Sequence, residues 1–128
     1  MKKSNTHYTA EILIAIHKDK IIGIRAGADS THRIIGIWVV VVEKRVFVRS
    51  YSMKPRSWWR TFLEDPRGII TVGDKEFPVR AIQTKSERLK DLVSAAYKEK
   101  YNRPGDIQYV TDMSKKKSRD TTTELVVK

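Results

Sequence analysis

The stretch that most constrains this chain is residues 33–43, Arg-Ile-Ile-Gly-Ile-Trp-Val-Val-Val-Val-Glu. Seven of these eleven residues are β-branched, and branching at Cβ stiffens χ1 in a way that suits a pleated strand better than a helix. Because the apolar side chains fall on consecutive positions, they go to both faces, which predicts one central strand covered on both sides. The nine residues from Ile34 to Val42 are uninterrupted by charge, but that is under half of the roughly 20 a membrane helix needs. The run therefore reads as protein core, with no membrane span. Glu43-Lys44 then makes a tight turn into a second strand over 45–51, in which Val46 and Val48 face away from Phe47. The two strands form a hairpin.

The remaining elements follow from caps, breakers and periodicity. Thr9 caps a short amphipathic helix over 9–18 carrying Ile12, Leu13 and Ile16, although Ile12 to Ile16 also fits a strand. Ile21, Ile22 and Ile24 start a strand that Gly27, Asp29 and Ser30 close. Ser57 caps a helix over 58–64, ended by Asp65-Pro66 because the residue before proline avoids helical angles. Strands over 68–72 and 76–83 meet at Gly73-Asp74-Lys75 as a second hairpin. Ser86 opens a helix through about 101 with Leu89, Leu92, Val93, Ala96 and Tyr97 on one stripe, ended by Asn102 and Pro104-Gly105. Residues 114–120 read as a mobile polar loop, and 121–127 as a last strand returning to the sheet. Hairpins with helices inserted between them predict an α+β fold, a mostly antiparallel sheet curled toward a barrel.

At 128 residues the chain fits one domain, residues 1–128. Cysteine is absent, which removes disulfides, thiol catalysis and thiolate metal sites. The basic N-terminus lacks the apolar stretch of a signal peptide, so a cytoplasmic location is expected. Twenty-six basic against fifteen acidic residues give a net charge of +11, a potential that attracts phosphates, nucleic acids or acidic surfaces, or that only keeps a small protein soluble.

No constellation demands a reaction. His7, His17 and His32 are too separated and too poorly supported by carboxylates for a metal site, and Gly23-Ile24-Arg25-Ala26-Gly27 lacks the lysine and helix of a phosphate loop. The segment that stands out is Arg49-Ser50-Tyr51-Ser52-Met53-Lys54-Pro55-Arg56-Ser57-Trp58-Trp59-Arg60, three serines and four basic side chains between a strand end and a helix start. Unpaired amides at a helix start favour an anion, which Arg49, Lys54 and Arg56 would attract and Ser50 or Ser57 would bind. The same residues equally suit a plain structural role: Ser57 as a cap, the tryptophans as core and the arginines as solvated charge.

Together with Ile37-Trp38-Val39-Val40, Val46-Phe47-Val48-Arg49-Ser50-Tyr51, Ala95-Ala96-Tyr97-Lys98-Glu99-Lys100-Tyr101 and Thr121-Thr122-Thr123-Glu124-Leu125, this segment resembles the uncharacterised bacterial DUF2255 family over about 33–127. More distantly it resembles the deazaflavin-dependent nitroreductase relatives of the FMN-binding split-barrel superfamily. The resemblance implies a six-stranded split β-barrel with three flanking helices. It also implies a flavin- or deazaflavin-dependent oxidoreductase that uses FMN or coenzyme F420 for hydride transfer. Carried onto this sequence, the cofactor-binding residues are Arg49, Ser50, Lys54, Ser57 and Trp58, with Tyr51, Trp38 and Trp58 lining an apolar ring site, and a homodimer is the family expectation. Where the deazaflavin relatives carry glycines after the serine, this chain has Ser52, Met53 and Pro55, which keep the backbone from a close approach. The alternatives are a basic module that binds nucleic acid or another anionic partner without a cofactor, and a barrel that serves only in protein interaction.

Overall fold

The computed structural model describes residues 8–27, 33–51 and 57–127. In chain order the elements are α1 (Ala10–Lys18), β1 (Ile21–Ala26), β2 (Ile35–Trp38), β3 (Val40–Val42), β4 (Arg45–Val48), α2 (Trp58–Glu64), β5 (Arg67–Val72), β6 (Lys75–Gln83), α3 (Glu87–Lys100), α4 (Ile107–Met113), α5 (Lys116–Arg119) and β7 (Thr123–Val127). The seven strands pair in the order β2-β1-β5-β6-β7-β4-β3, every pair antiparallel.

The apolar run over 33–43 is where the structure departs most from the expected central strand. It is two strands, β2 and β3, at opposite ends of the ladder and separated only by Val39. Because one covalent run supplies both ends, the sheet curls into a nearly closed barrel. The break has a hydrogen-bond cause. Val39 N–H donates to Tyr101 Oη at 3.0 Å, Val39 C=O accepts from Lys100 Nζ at 2.7 Å, and the Tyr101 hydroxyl gives its own proton to Lys20 C=O at 2.5 Å. Both backbone groups are thus satisfied by side chains from the end of α3, which is what lets the strand leave the ladder at a buried position.

The two faces expected of the apolar run are both used. Inside the barrel, Ile22, Ile24, Val39, Val46, Val48, Ile70, Val79 and Leu125 pack with Ile16 of α1 and Phe62 of α2. On the outer side, Val40, Val42 and Phe47 meet Leu89, Val93 and Tyr97 of α3 and Val110 and Met113 of α4. Val46 and Val48 do face away from Phe47. The hairpin turn places Glu43 and Lys44 at φ 54° and 63°, the left-handed angles of a type I′ turn, which usually selects asparagine and glycine. In the second hairpin Gly73 takes φ 62° at the first turn position.

Thr9, Ser57 and Ser86 cap α1, α2 and α3 through their hydroxyls, and Leu92 lies at the exposed edge of the α3 stripe. The polar stretch over 114–120, expected to be a loop, contains α5, and α4 precedes it, so five helices replace the three expected. The last strand does return to the sheet, between β6 and β4, where Arg45 makes a bidentate pair to Glu124 at 2.8 and 2.9 Å. No helix among the described residues is long and apolar enough to cross a membrane.

Candidate functional site

Strand β2, the residues after β4, and helices α2 and α4 border a cleft of about 620 Å³, within the size range of sites for drug-sized ligands. Strand β2 contributes Ile35, Gly36, Ile37 and Trp38, beside Ile21 of β1, and the cleft is further lined by Tyr51, Trp58, Tyr109 and Met113. Trp38 lies flat on Tyr101, with ring centroids 4.1 Å apart and planes within 4°. Tyr109 meets Trp38 edge-on at 6.1 Å and Tyr51 at 5.6 Å. Tyr51 and Tyr109 remain half exposed. Tyr51 Oη donates to Asp112 Oδ2 at 3.2 Å, and that bond raises its pKa above the ordinary value. Offset and edge-on aromatic contacts of this kind hold rings in fixed planes, so the cleft offers preset surfaces to a flat apolar ligand.

Four of the five site residues expected from sequence border this cleft: Arg49, Ser50, Ser57 and Trp58. Lys54 lies outside the described residues, as does Arg56. Arg49 does so without presenting its charge. The residue is 2 % exposed, and its guanidinium donates from Nε to Thr122 Oγ1 (2.8 Å), from Nη1 to Ser94 Oγ (2.8 Å) and Met113 O (3.0 Å), and from Nη2 to Lys90 O (2.8 Å). Those acceptors come from α3, α4 and the segment entering β7, and the Tyr97 ring lies 6.0 Å away. Burial pushes the Arg49 pKa down to about 10. Among the described residues no carboxylate forms an ion pair with it. Neutral acceptors therefore satisfy this cation, which pins three segments together.

Ser50 is held by its backbone, its N–H donating to Thr121 Oγ1 and its C=O accepting from Ser118 Oγ, both at 2.8 Å. Ser57 Oγ accepts from Arg60 N–H at 3.3 Å, so the hydroxyl caps the seven-residue α2. Trp58 joins two roles that the sequence left as alternatives, packing edge-on against Phe62 at 6.0 Å while lining the cleft. Trp59 turns away and donates its indole N–H to Gln83 Oε1 at 2.8 Å.

Sequence reasoning placed Trp38, Tyr51 and Trp58 at a ring site, and the structure brings all three to one cleft. It missed Tyr109 and Met113, which sit on α4. A signal existed, since Ile107, Val110 and Met113 recur every three residues; Asp106 precedes them but makes no capping bond with its side chain. The described residues that line the cleft include no carboxylate, histidine or lysine.

A family model described as "Uncharacterized protein conserved in bacteria (DUF2255)" matches residues 13–125. No curated protein matches the sequence. Among solved structures, a conserved hypothetical protein from Mycobacterium tuberculosis is similar at TM-score 0.63 and 15 % identity, covering 100 % of this chain and 85 % of its own. A putative pyridoxamine 5′-phosphate oxidase from Listeria innocua is similar at TM-score 0.60 and 9 % identity, covering 92 % and 90 %. An F420-H2-dependent reductase is similar at TM-score 0.57 and 19 % identity, covering 85 % and 94 %. At these identities the likeness is one of fold, a split barrel.

Proposed function

From the premise that this chain belongs to the DUF2255 family, we propose that it is a split-barrel redox protein which binds FMN or coenzyme F420 in the aromatic cleft. The observation that carries this reading is the cleft itself: about 620 Å³ of mostly apolar space walled by Trp38, Tyr51, Trp58 and Tyr109. The fold is shared with a protein named as an F420-H2-dependent reductase, which supports the cofactor class, though fold alone does not carry function. When bound, such a cofactor supplies hydride transfer. The polypeptide's own work is to seat the ring against Trp38, Trp58 and Tyr109, to exclude water with Ile35, Ile37 and Met113, and to leave the Tyr51 side open for a substrate. In this reading Ser50, Lys54, Ser57 and Trp58 border the cofactor. Arg49 acts indirectly, by fixing α3, α4 and the start of β7. The half-exposed apolar side chains around the mouth, Ile21, Ile35, Tyr51 and Tyr109, are the surface on which a second copy would close the site as a homodimer.

The test is titration with FMN and with F420, following tryptophan fluorescence in the wild type and in Tyr109→Ala. Saturable quenching that weakens about tenfold in the variant, a loss of about 1.4 kcal/mol, is expected. A protein that binds neither compound overturns the reading. The net charge of +11 together with the exposed Tyr51 and Tyr109 favours nucleic acid as the second reading, and binding of a single-stranded oligonucleotide at low salt, in the absence of cofactor binding, would select it.

A further inference from the structure

Behind the Trp38–Tyr101 stack lies a second pocket of about 430 Å³, between the end of α1 and the end of α3. Tyr101 is on its wall, so the stacked pair separates it from the aromatic cleft. Its character is opposite. Lys18, Lys20, Lys100 and Arg103 border it with His17, against the carboxylates of Glu99 and Asp106. Asp106 is committed to Lys20 at 3.1 Å, which leaves the other cations in excess.

Lys100 is the unusual member. It is half-buried, and its Nζ donates to Val39 O at 2.7 Å and Ile16 O at 3.0 Å, two of the three bonds an ammonium can give. Among the described residues no carboxylate is within ion-pair distance of Lys100, Lys18 or Arg103. A third N–H remains, and Nζ lies 5.3 Å from the centroid of the Tyr101 ring, which borders the same cavity. A desolvated ammonium bonded to neutral acceptors, with no carboxylate in ion-pair contact among the described residues, is one that an anion in that cavity would stabilise.

We propose that this second pocket is an oxyanion site, in which a phosphate or carboxylate group of a small ligand sits against Lys100 with Arg103 and Lys18 at the rim. The proposal is independent of the cofactor reading, since neither its residues nor its ligand depends on the cleft. Desolvation lowers the Lys100 pKa to about 8, with only Asp19 opposing it appreciably. His17, Lys18 and Asp19 from α1 and its end, Lys20, Glu99 and Tyr101, and Arg103 and Asp106 are the charged or titratable groups around it. A bound dianion favours the ammonium form, so occupancy must raise the Lys100 titration midpoint, and affinity must fall as pH passes through it.

The experiment follows the lysine Cε–Hε NMR signals of the full chain from pH 7 to 10, at constant ionic strength set with chloride, adding sulfate or malonate. Both probes stay dianionic across this range. Lys100→Met assigns the resonance, and Arg103→Ala, at an exposed position, serves as the binding variant. The expected result is a saturable rise of about one unit in the Lys100 midpoint, equivalent to about tenfold tighter binding to the ammonium than to the amine, with affinity at least about threefold weaker in Arg103→Ala. A response to sulfate alone identifies a phosphate-like ligand, and one to malonate alone a carboxylate; either supports the site. A midpoint that neither anion moves, or equal affinity in wild type and Arg103→Ala, overturns it.

Discussion

Replacing Arg49 by methionine keeps an unbranched apolar stem and removes the guanidinium with every donor. Four bonds are lost, to Thr122 Oγ1, Ser94 Oγ, Met113 O and Lys90 O. They are not equivalent. Lys90 O lies within α3 and keeps its helical acceptor role, and the two hydroxyls can rotate toward other partners, but Met113 O stands at the end of α4, where carbonyls have no helical donor. An unpaired buried polar group costs about 1–3 kcal/mol, and release of the desolvated guanidinium offsets part of the total. A net loss of about 2–4 kcal/mol follows. With a urea slope of about 2 kcal/mol/M, the unfolding midpoint falls by about 1–2 M. Because α4 carries Tyr109 and Met113, ligand affinity in the cleft should fall with it. Arg49→Lys should recover less than half of the loss, since one ammonium cannot span acceptors on α3, α4 and the segment entering β7. Urea unfolding followed by tryptophan fluorescence reads all three proteins. A midpoint for Arg49→Met within about 0.3 M of wild type, below about 1 kcal/mol, would refute the assignment of Arg49 as the tie between these segments.

Tyr101→Phe strips Val39 N–H of its partner at the strand break and should cost about 1–3 kcal/mol, measured by thermal or urea unfolding. Lys44→Gly relieves a left-handed φ of 63°; set against the greater entropy of glycine in the unfolded chain, it should stabilise by about 0.5 kcal/mol, and a loss of stability would contradict the turn geometry. The pH dependence has a definite sign. The Lys100 pKa lies at about 8 in the fold against an ordinary 10.5, so between these values the unfolded chain holds a proton that the folded chain has released, and this residue makes stability rise with pH. Burial holds Tyr8, Tyr97 and Tyr101 above their ordinary value, so above about pH 10 the unfolded chain loses protons that the fold keeps, and those groups lower stability. Unfolding of wild type and Lys100→Met from pH 7 to 10 isolates the lysine, and the wild type should gain on the variant as pH rises.

Where the sequence was informative, local chemistry and hydrophobic pattern agreed. The three hydroxyl caps, the Glu43-Lys44 turn and the opposed faces of Val46, Phe47 and Val48 are each specified within a few residues, and each was legible. Features decided by distant partners were hidden. Nothing near Val39 marks it as a break, because the groups that satisfy its backbone, Lys100 and Tyr101, lie about 60 positions away. The helix α4 escaped notice because Asp106 supplies no capping bond and instead pairs with Lys20, while α5 is a single lysine-rich turn with a loop's composition. Arg49 shows the limit at the candidate site. In sequence it is one of several cations beside serines and suggests an anion ligand. Its burial depends on acceptors supplied by Ser94, Thr122 and two carbonyls, all remote in the chain.

The central claim, that the aromatic cleft holds a flavin-type ring, is tested most directly by NMR of the chain with saturating FMN and, separately, F420. Ring currents and intermolecular contacts should appear at the Ile35 and Met113 methyls and at the Trp38 and Tyr109 rings, and be absent from the Lys100 pocket across the Trp38–Tyr101 stack. Saturation by either compound with those four residues unmoved, or with shifts confined to the basic surface, would contradict the account.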